Sequence, residues 1–201
     1  MEIDIASANV VEVYQALVGM VTPRPIAWVT TLNPAGQVNL APFSFFNVFG
    51  ANPPIVVFSP TLRRDGTKKD TLLNLERTRE FVLNIANERL AEAVNGSSKE
   101  LPADESELEF VKLTARPSST IKTPGVAESP GQLECVVDRI LPFGHGPISA
   151  NLVIGRVTWL RIDDRVLGAD GRPDPLRLRA IGRLGGDDFC RTTDVFSMTR
   201  P

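Results

Sequence analysis

The chain has 201 residues, of which 42% are hydrophobic and 23% are charged, as in ordinary folded globular proteins and unlike disordered ones. Its 22 basic and 24 acidic residues give a net charge of −2, which provides no electrostatic basis for binding nucleic acid or a membrane surface. The length fits one domain over residues 1–201. Acidic residues precede the first apolar stretch, and no run of 18 apolar residues occurs, so we expect a cytoplasmic protein without a membrane span.

The two cysteines and the single histidine restrict the chemistry that the chain can perform. Cys135 and Cys190 are too few for a disulfide framework, and neither they nor His145 have the spacing of metal ligands, so no metal site is expected. Glycine-rich phosphate loops and the serine-hydrolase elbow motif are absent. A Cys–His catalytic pair is not favoured, because a free cysteine is usually a small buried apolar residue.

The first part of the chain predicts strands separated by turns. Residues 8–18 fit either a short helix or a strand. Branched and aromatic residues predict a strand at Ile26–Leu32 and another at Val38–Phe49, after a turn. The second strand should break at Pro42, because proline donates no hydrogen bond to a central ladder. A further strand is expected at Ile55–Ser59.

A change of hydrophobic period then predicts helices. The spacing of leucines indicates a helix over about 71–79, with Asp70 or Thr71 as its N-cap. Strand character returns at Phe81–Ala86, and a second short helix should end near Gly96.

The remainder of the chain predicts a long loop, two strands and an irregular tail. Residues 97–130 are polar and then proline-rich, which is typical of a functional or interface loop. Strands are expected at Leu133–Phe143 and Ala150–Asp164, with Gly155 as a candidate bulge, and residues 180–201 read as loop. Strands that follow one another through short turns favour an antiparallel sheet or barrel.

Residues 41–47 could form either core or a ligand wall. Three phenylalanines occur within four positions, so a strand cannot turn all of them to one face. Core packing is the ordinary outcome for such aromatic residues. Alternatively, they form a flat wall for a planar heterocycle, with backbone groups that Pro42 keeps out of the ladder. From the residues alone, the two interpretations are equally good.

Two cationic regions, around Lys69 and at Arg24, and one glycine pair are candidates for binding a ligand. Lys69 lies at the expected helix start, where free N–H groups and the helix dipole attract phosphate, and Arg63 and Arg64 are close in sequence. A capped and solvated helix start is the commoner alternative. Arg24, between two prolines, could pair with phosphate or carboxylate, or be a surface arginine. The glycine pair within residues 182–187 permits a close backbone approach or forms a plain loop.

Residues 23–54 and 66–86, together with LVIGRV at 152–157 and GRLGGDDF at 182–189, resemble the flavin reductase-like FMN-binding split-barrel family. The resemblance covers nearly the whole chain in the right order. The family includes reductase components of two-component monooxygenases, and flavoredoxins. The resemblance implies a mainly β fold, a six-stranded antiparallel Greek-key split barrel with short peripheral helices. It also implies a homodimer with FMN near the subunit interface.

The resemblance implies roles for individual residues as well. Ala41–Asn47 would line the flavin ring, the preceding strand would bring Thr30 and Thr31 near it, and Lys69, Asp70 and Thr71 would hold the phosphate. Together with Arg24 from the residue analysis, the residues predicted to bind FMN are Arg24, Thr30, Thr31, Ala41, Pro42, Phe43, Ser44, Phe45, Phe46, Asn47, Lys69, Asp70 and Thr71.

His145 and Phe189 match positions that approach the nicotinamide in relatives and are the predicted catalytic residues. Many relatives carry tyrosine where this chain has Phe189, so a hydroxyl is lost. The implied activity is reduction of FMN by NADH or NADPH, with reduced flavin or electrons passed to a partner such as a flavin-dependent monooxygenase. One alternative is a flavoredoxin-like electron carrier that holds FMN tightly and does not turn over NAD(P)H. Another is a split barrel whose ligand has been lost or changed.

Overall fold

A computed structural model describes residues 1–102 and 104–201 of the chain. Its strands, in chain order, are β1 Ala27–Leu32, β2 Val38–Phe43, β3 Phe46–Ala51, β4 Pro54–Phe58, β5 Glu80–Ile85, β6 Ala115–Arg116, β7 Gly125–Val126, β8 Gly131–Phe143, β9 Ala150–Ile162, β10 Ile181–Arg183 and β11 Phe189–Arg191. Within this described part, seven strands form one antiparallel sheet in the order β2-β1-β5-β8-β9-β4-β3. The pairs β6–β7 and β10–β11 form two small sheets of their own.

The helices are short and lie around the sheet. They are α1 Val10–Met20, α2 Asp70–Thr78, α3 Ala91–Gly96, α4 Glu107–Phe110 and α5 Pro175–Leu178, with 3-10 turns at Glu88–Leu90 and Asp164–Val166. The ambiguous stretch at residues 8–18 is therefore helical. Its N-cap is Asn9, whose Oδ1 accepts a hydrogen bond from the Glu12 N–H at 2.9 Å.

The main sheet curls so that its two ends share one core. Phe43 lies on β2 at one edge, and Phe58 lies on β4 near the other, yet their ring centroids are only 5.3 Å apart. Phe58 also packs edge-on against Phe81 of β5. Only Ser44 and Phe45 separate β2 from β3, and no ladder between these two strands occurs in the described residues. The predicted split barrel is confirmed, with seven strands in the main sheet instead of six.

A second apolar cluster covers the outer side of β1 and β2. Trp28, Leu40 and Ile181 pack there with residues of α3 and α4. The fully buried Trp28 indole Nε1–H donates to Ser97 Oγ at 2.8 Å, which fixes the end of α3 over the sheet. The segment 97–130 is consequently more ordered than the predicted loop, since it contains α4 and the β6–β7 pair.

Two expectations about strand breaks were wrong. Pro42 lies inside β2, and the chain breaks two residues later, because β2 is an edge strand that tolerates a missing N–H. Gly155 keeps its pairing with Val137, and the register shifts at the neighbouring Asp138 instead. The glycine is needed for packing, since a Cβ there would lie 2.7 Å from Cε1 of Phe81 and closer still to its Cζ.

Two expectations about element ends also differ from the structure. Helix α2 begins at Asp70 with Lys69 as its N-cap, and no side-chain cap is observed among the described residues. The expected loop after residue 180 contains the hairpin β10–β11, in which Gly182 pairs with Cys190. A Cβ on Gly182 would lie 2.9 Å from the Pro23 side chain, so this glycine permits close packing.

Candidate functional site

The two ligand-binding stretches predicted from the sequence meet in one cleft, which we call the α2 cleft. It holds about 100 Å³ between β2, the start of α2 and the segment after α3. From the predicted set it is lined by Ala41, Pro42, Phe43, Lys69, Asp70 and Thr71. Residues 97–101, from the segment expected to be a functional loop, also line it, whereas Asn39 and Glu107 were not anticipated.

One cationic side chain and two backbone donors at this cleft have no hydrogen-bond partner in the described residues, with the Glu100 carboxylate also in the lining. The Lys69 ammonium lies 5.9 Å from the centroid of the Phe43 ring, and within the described chain it makes no hydrogen bond or ion pair, although the Glu100 carboxylate acts on it electrostatically. Burial lowers the pKa of Lys69, as expected for a cation held away from water. The backbone N–H groups of Asp70 and Thr71 also have no acceptor among the described residues. This end of the cleft is therefore suited to an anionic group.

Arg63 neutralises the one acidic side chain at the start of α2. Its Nη2 is 2.6 Å from Oδ2 of Asp70, and its Nη1 donates to the Lys68 carbonyl. Asp70 therefore holds Arg63 in place, and its charge is compensated. With Asp70 and Arg63 paired to each other, Lys69 and the helix N-terminus contribute positive potential at this end of the cleft.

A buried polar network supports the floor of the cleft. The Thr71 hydroxyl donates to Asn39 Oδ1 at 2.8 Å, and Asn39 Nδ2 donates to Glu107 Oε2 at 2.8 Å. Glu107 Oε2 also accepts from the Leu40 N–H at 3.0 Å, and burial raises the pKa of this carboxyl. The Thr31 hydroxyl donates to the same Asn39 oxygen at 3.2 Å. The network fixes the direction of the Thr71 hydroxyl.

A second cleft, which we call the β10 cleft, adjoins the first. It holds about 140 Å³ and shares Pro42 and Ser98 with the α2 cleft. Phe189 lines this second cleft, and the Arg183 guanidinium lies 4.5 Å from the centroid of its ring. The end of the α2 cleft that is suited to an anion and the predicted catalytic Phe189 thus belong to one extended groove. Both clefts are small beside a typical ligand pocket of roughly 300–1,000 Å³.

Arg24 does not line either cleft as the structure describes them. Its guanidinium is buried and donates to the carbonyls of Val18, Val21 and Leu184 at 2.5, 2.8 and 2.9 Å. Its Nε also donates to Ser44 Oγ at 3.3 Å. Three backbone carbonyls and the Ser44 hydroxyl accept four hydrogen bonds from the five N–H groups of this guanidinium, so the structure of one protomer does not support the expectation of an anion-binding Arg24. Burial lowers its pKa.

The last residues of the aromatic stretch turn away from the groove. Ser44 lines the β10 cleft, but Phe45 is partly exposed and packs edge-on against Tyr14, with ring centroids 6.2 Å apart. Phe46 packs on the barrel core, and Asn47 is exposed on β3. The first members of the stretch therefore line the groove, the later ones pack in the core or face solvent, and ligand binding by the lining members stays a prediction.

Three other predicted residues also lie away from the described lining of these clefts. Thr30 is fully buried and donates to the Pro124 carbonyl at 2.6 Å. Thr31 is connected to the α2 cleft only through its hydrogen bond to Asn39. His145 is exposed on the loop that joins β8 to β9. The structure therefore brings Phe189, but not His145, to the groove.

No helix among the described residues is both long and apolar enough to cross a membrane. No group of three or more His, Cys, Asp or Glu side chains among them is arranged to hold a metal ion.

Comparisons with known proteins bear on the whole chain. A family model described as "Flavin reductase like domain" matches residues 20–177. The solved structure of nitrilotriacetate monooxygenase component B from Bacillus cereus is 34% identical, covers 98% of both chains and has a TM-score of 0.92. The Pseudomonas fluorescens 2-nitrobenzoate 2-nitroreductase NbaA is 32% identical over 100% of this chain and 96% of its own, with a TM-score of 0.89. An uncharacterized protein of Halalkalibacterium halodurans is 44% identical, covering 94% and 91% of the respective chains.

Proposed function

The chain belongs to the flavin reductase-like domain family, and we propose that it acts as an NAD(P)H-dependent FMN reductase. The observation that carries this proposal is the cationic end of the α2 cleft. There the Lys69 ammonium and the first N–H groups of α2 have no acceptor within the described residues, beside the apolar wall of β2.

The residues present fit FMN. Lys69 and the N–H groups of Asp70 and Thr71 would hold the phosphate, because a dianion supplies the charge and the acceptors that this end lacks. Pro42 and Phe43 would flank the ring system as an apolar wall. Bound flavin would supply hydride and electron transfer, which the side chains of the protein cannot perform.

The remaining residues of the groove exclude water and provide a surface for the donor. Phe189 and Arg183 form a stacked pair at the opposite end, which suits a planar ring with a nearby negative charge. No titratable side chain is required there, because hydride transfer needs no general base. The missing hydroxyl of Phe189 is consistent with a binding surface rather than a proton donor.

We further propose a homodimer, supported by apolar surface that the protomer leaves in solvent. Leu17 on α1 and Val48 and Phe49 on β3 are 51%, 58% and 68% exposed. Tyr14 of α1 packs edge-on against Phe45, the residue before β3, so these exposed side chains lie on neighbouring elements, and exposed apolar surface is typical of interfaces. A second copy placed there would also enlarge the shallow groove, which one protomer leaves smaller than a cofactor requires. By analogy with the Bacillus cereus monooxygenase component, a monooxygenase is the proposed electron acceptor.

The first test is an anaerobic absorption spectrum of the purified protein with FMN, before and after NADH or NADPH. Bound flavin that bleaches supports the reductase, and failure to bind flavin would refute the proposal. Lys69→Ala should weaken FMN binding by about 1.5–3 kcal/mol, or at least tenfold in Kd. Lys68→Ala is the matched control, because Lys68 pairs with Glu76 outside the cleft and its loss should leave the Kd nearly unchanged.

One observation favours the alternative of a flavoredoxin-like electron carrier. His145, the predicted donor-side residue, lies on an exposed loop and not in the described groove. A carrier would bind FMN but leave it oxidised when NADH or NADPH is added. If the protein is a reductase in which His145 serves the donor, His145→Ala should slow NAD(P)H oxidation at unchanged FMN affinity. Unchanged turnover would remove the catalytic assignment of His145.

A further inference from the structure

One acidic side chain of the α2 cleft faces the cations that we assign to the flavin phosphate. Glu100 lines the cleft on the segment that follows α3. Its Oε1 lies 3.9 Å from Nε of Arg63. Burial lowers the pKa of the Lys69 ammonium, and the Glu100 carboxylate acts against that effect. Glu100 is therefore a counter-ion of both cations within the protein.

The other two acids that line this cleft are firmly held. Oδ2 of Asp70 lies 2.6 Å from Nη2 of Arg63, and Oε2 of the buried Glu107 accepts a hydrogen bond from the Asn39 amide at 2.8 Å. The Glu100 side chain is 75% exposed and makes no hydrogen bond within the described part of the chain. Of the three acids, Glu100 is thus the one that is free to move.

The charges at the start of α2 are balanced by this glutamate. Arg63 and Lys69 supply two positive charges, and Asp70 and Glu100 supply two negative ones. A phosphate monoester placed on Lys69 would add negative charge close to both carboxylates, which like-charge repulsion opposes. Since Asp70 is retained by its short ion pair, Glu100 is the acid that the phosphate would displace.

The backbone before Glu100 keeps this side chain at the cleft. The buried Ser97 accepts a hydrogen bond from the Trp28 indole, and the Lys99 N–H donates to the carbonyl of Gly96 at 3.2 Å. The Lys99 ammonium lies 4.6 Å from the centroid of the Phe110 ring and forms no ion pair with Glu100 among the described residues. No neighbouring cation of the segment therefore competes with the cleft for this carboxylate.

We propose that Glu100 competes with the flavin phosphate for Lys69 and Arg63, and that it thereby weakens flavin binding and speeds flavin release. This inference rests on the proposed flavin function. A reductase that passes reduced flavin to a partner protein has to release it, whereas an electron carrier has to retain it. Glu100 therefore favours FMN as an exchanging substrate over FMN as a permanently bound cofactor.

The first test is Glu100→Gln, which removes the charge and keeps the shape of the side chain. In fluorescence titrations at low ionic strength, the variant should bind FMN about two- to fivefold more tightly than the parent, the range of an exposed ion pair. Stopped-flow mixing should show slower FMN dissociation. The difference in Kd should shrink at high salt, and riboflavin, which has no phosphate, should bind equally to both proteins.

Glu109→Gln is the matched control. Glu109 is an exposed acid on α4 outside the lining of the cleft, so its loss makes the same change in net charge and should leave the FMN Kd nearly unchanged. FMN binding by Glu100→Gln that is unchanged or weaker would overturn the proposal. Equal tightening in both variants, or equal tightening of riboflavin and FMN, would also overturn it.

The pKa of Lys69 provides a readout that needs no flavin. It can be followed by NMR of protein with 13C-labelled lysine, with Lys69→Arg used to assign the signal. Glu100→Gln should lower this pKa further, because it removes the carboxylate that opposes the effect of burial. If the parent binds FMN and the pKa does not change, only the role of Glu100 is refuted. If the parent binds no FMN, the proposed function fails and this inference fails with it.

Discussion

Removing the hydroxyl of Ser97 should destabilise the protein far more than the loss of a single oxygen atom suggests. Ser97 is 2% exposed at the end of α3, and its Oγ accepts from the Trp28 indole at 2.8 Å and donates to the Val94 carbonyl at 3.0 Å. Trp28 is fully buried. Ser97→Ala therefore leaves the indole N–H without an acceptor in a place that water does not reach.

The expected loss follows from these contacts. An orphaned buried donor costs about 1–3 kcal/mol, so the free energy of unfolding should fall by about 2 kcal/mol. For a chain of this length, such a loss lowers the Tm by roughly 4–8 °C.

Urea and thermal unfolding followed by circular dichroism measure this effect. The matched control is Ser98→Ala, because Ser98 is exposed and its Oγ contacts only the nearby Asn95 carbonyl. The control should stay within about 0.5 kcal/mol of the parent. If Ser97→Ala also stays within that range, the hydrogen bond does not stabilise the fold and the reasoning fails.

Three further predictions concern buried groups. Burial raises the pKa of Glu107, so the folded state binds the carboxyl proton more tightly than the unfolded state does. The stabilisation from this proton is present below pH 4.5, the ordinary pKa of the group, and is lost as pH rises above it. Glu107→Gln should flatten that dependence in urea midpoints compared with the parent between about pH 4 and 7, and parallel curves would contradict the assignment. Gly155→Ala should cost about 1–3 kcal/mol in thermal unfolding, because its Cβ would overlap the buried Phe81 ring, and Phe81→Leu should recover part of the loss. Burial raises the pKa of the Cys135 thiol, so iodoacetamide should modify Cys190 first and Cys135 only in urea, as mass spectrometry would show.

Local sequence signals were sufficient for most of the barrel strands and for α2. They could not distinguish helix from strand at residues 8–18, because the apolar pattern there fits both. Most of the large apolar side chains of α1 remain exposed in the structure. They also missed Pro42 inside β2, since the tolerance for proline depends on β2 being an edge strand, which is a property of the whole sheet.

The candidate site was predictable where a short segment carries its own chemistry. Lys69 at a helix start is such a case, and Ala41–Phe43 on the adjoining strand is another. Glu107 was not predictable, because it meets Asn39 only when α4 packs on β2, 68 residues away in sequence. Arg24 was predicted to bind an anion because nothing local shows that three backbone carbonyls converge on it.

That convergence has a consequence for the dynamics of the molecule. The Arg24 guanidinium joins the end of α1 to the Leu184 carbonyl, which lies 160 residues further along the chain beside the hairpin that carries Phe189. Neither segment belongs to the main sheet, so this one side chain links two peripheral parts of the protein. The two segments should open together in native-state hydrogen exchange, as one cooperative unit. A ligand that orders the hairpin would then slow amide exchange in α1 as well.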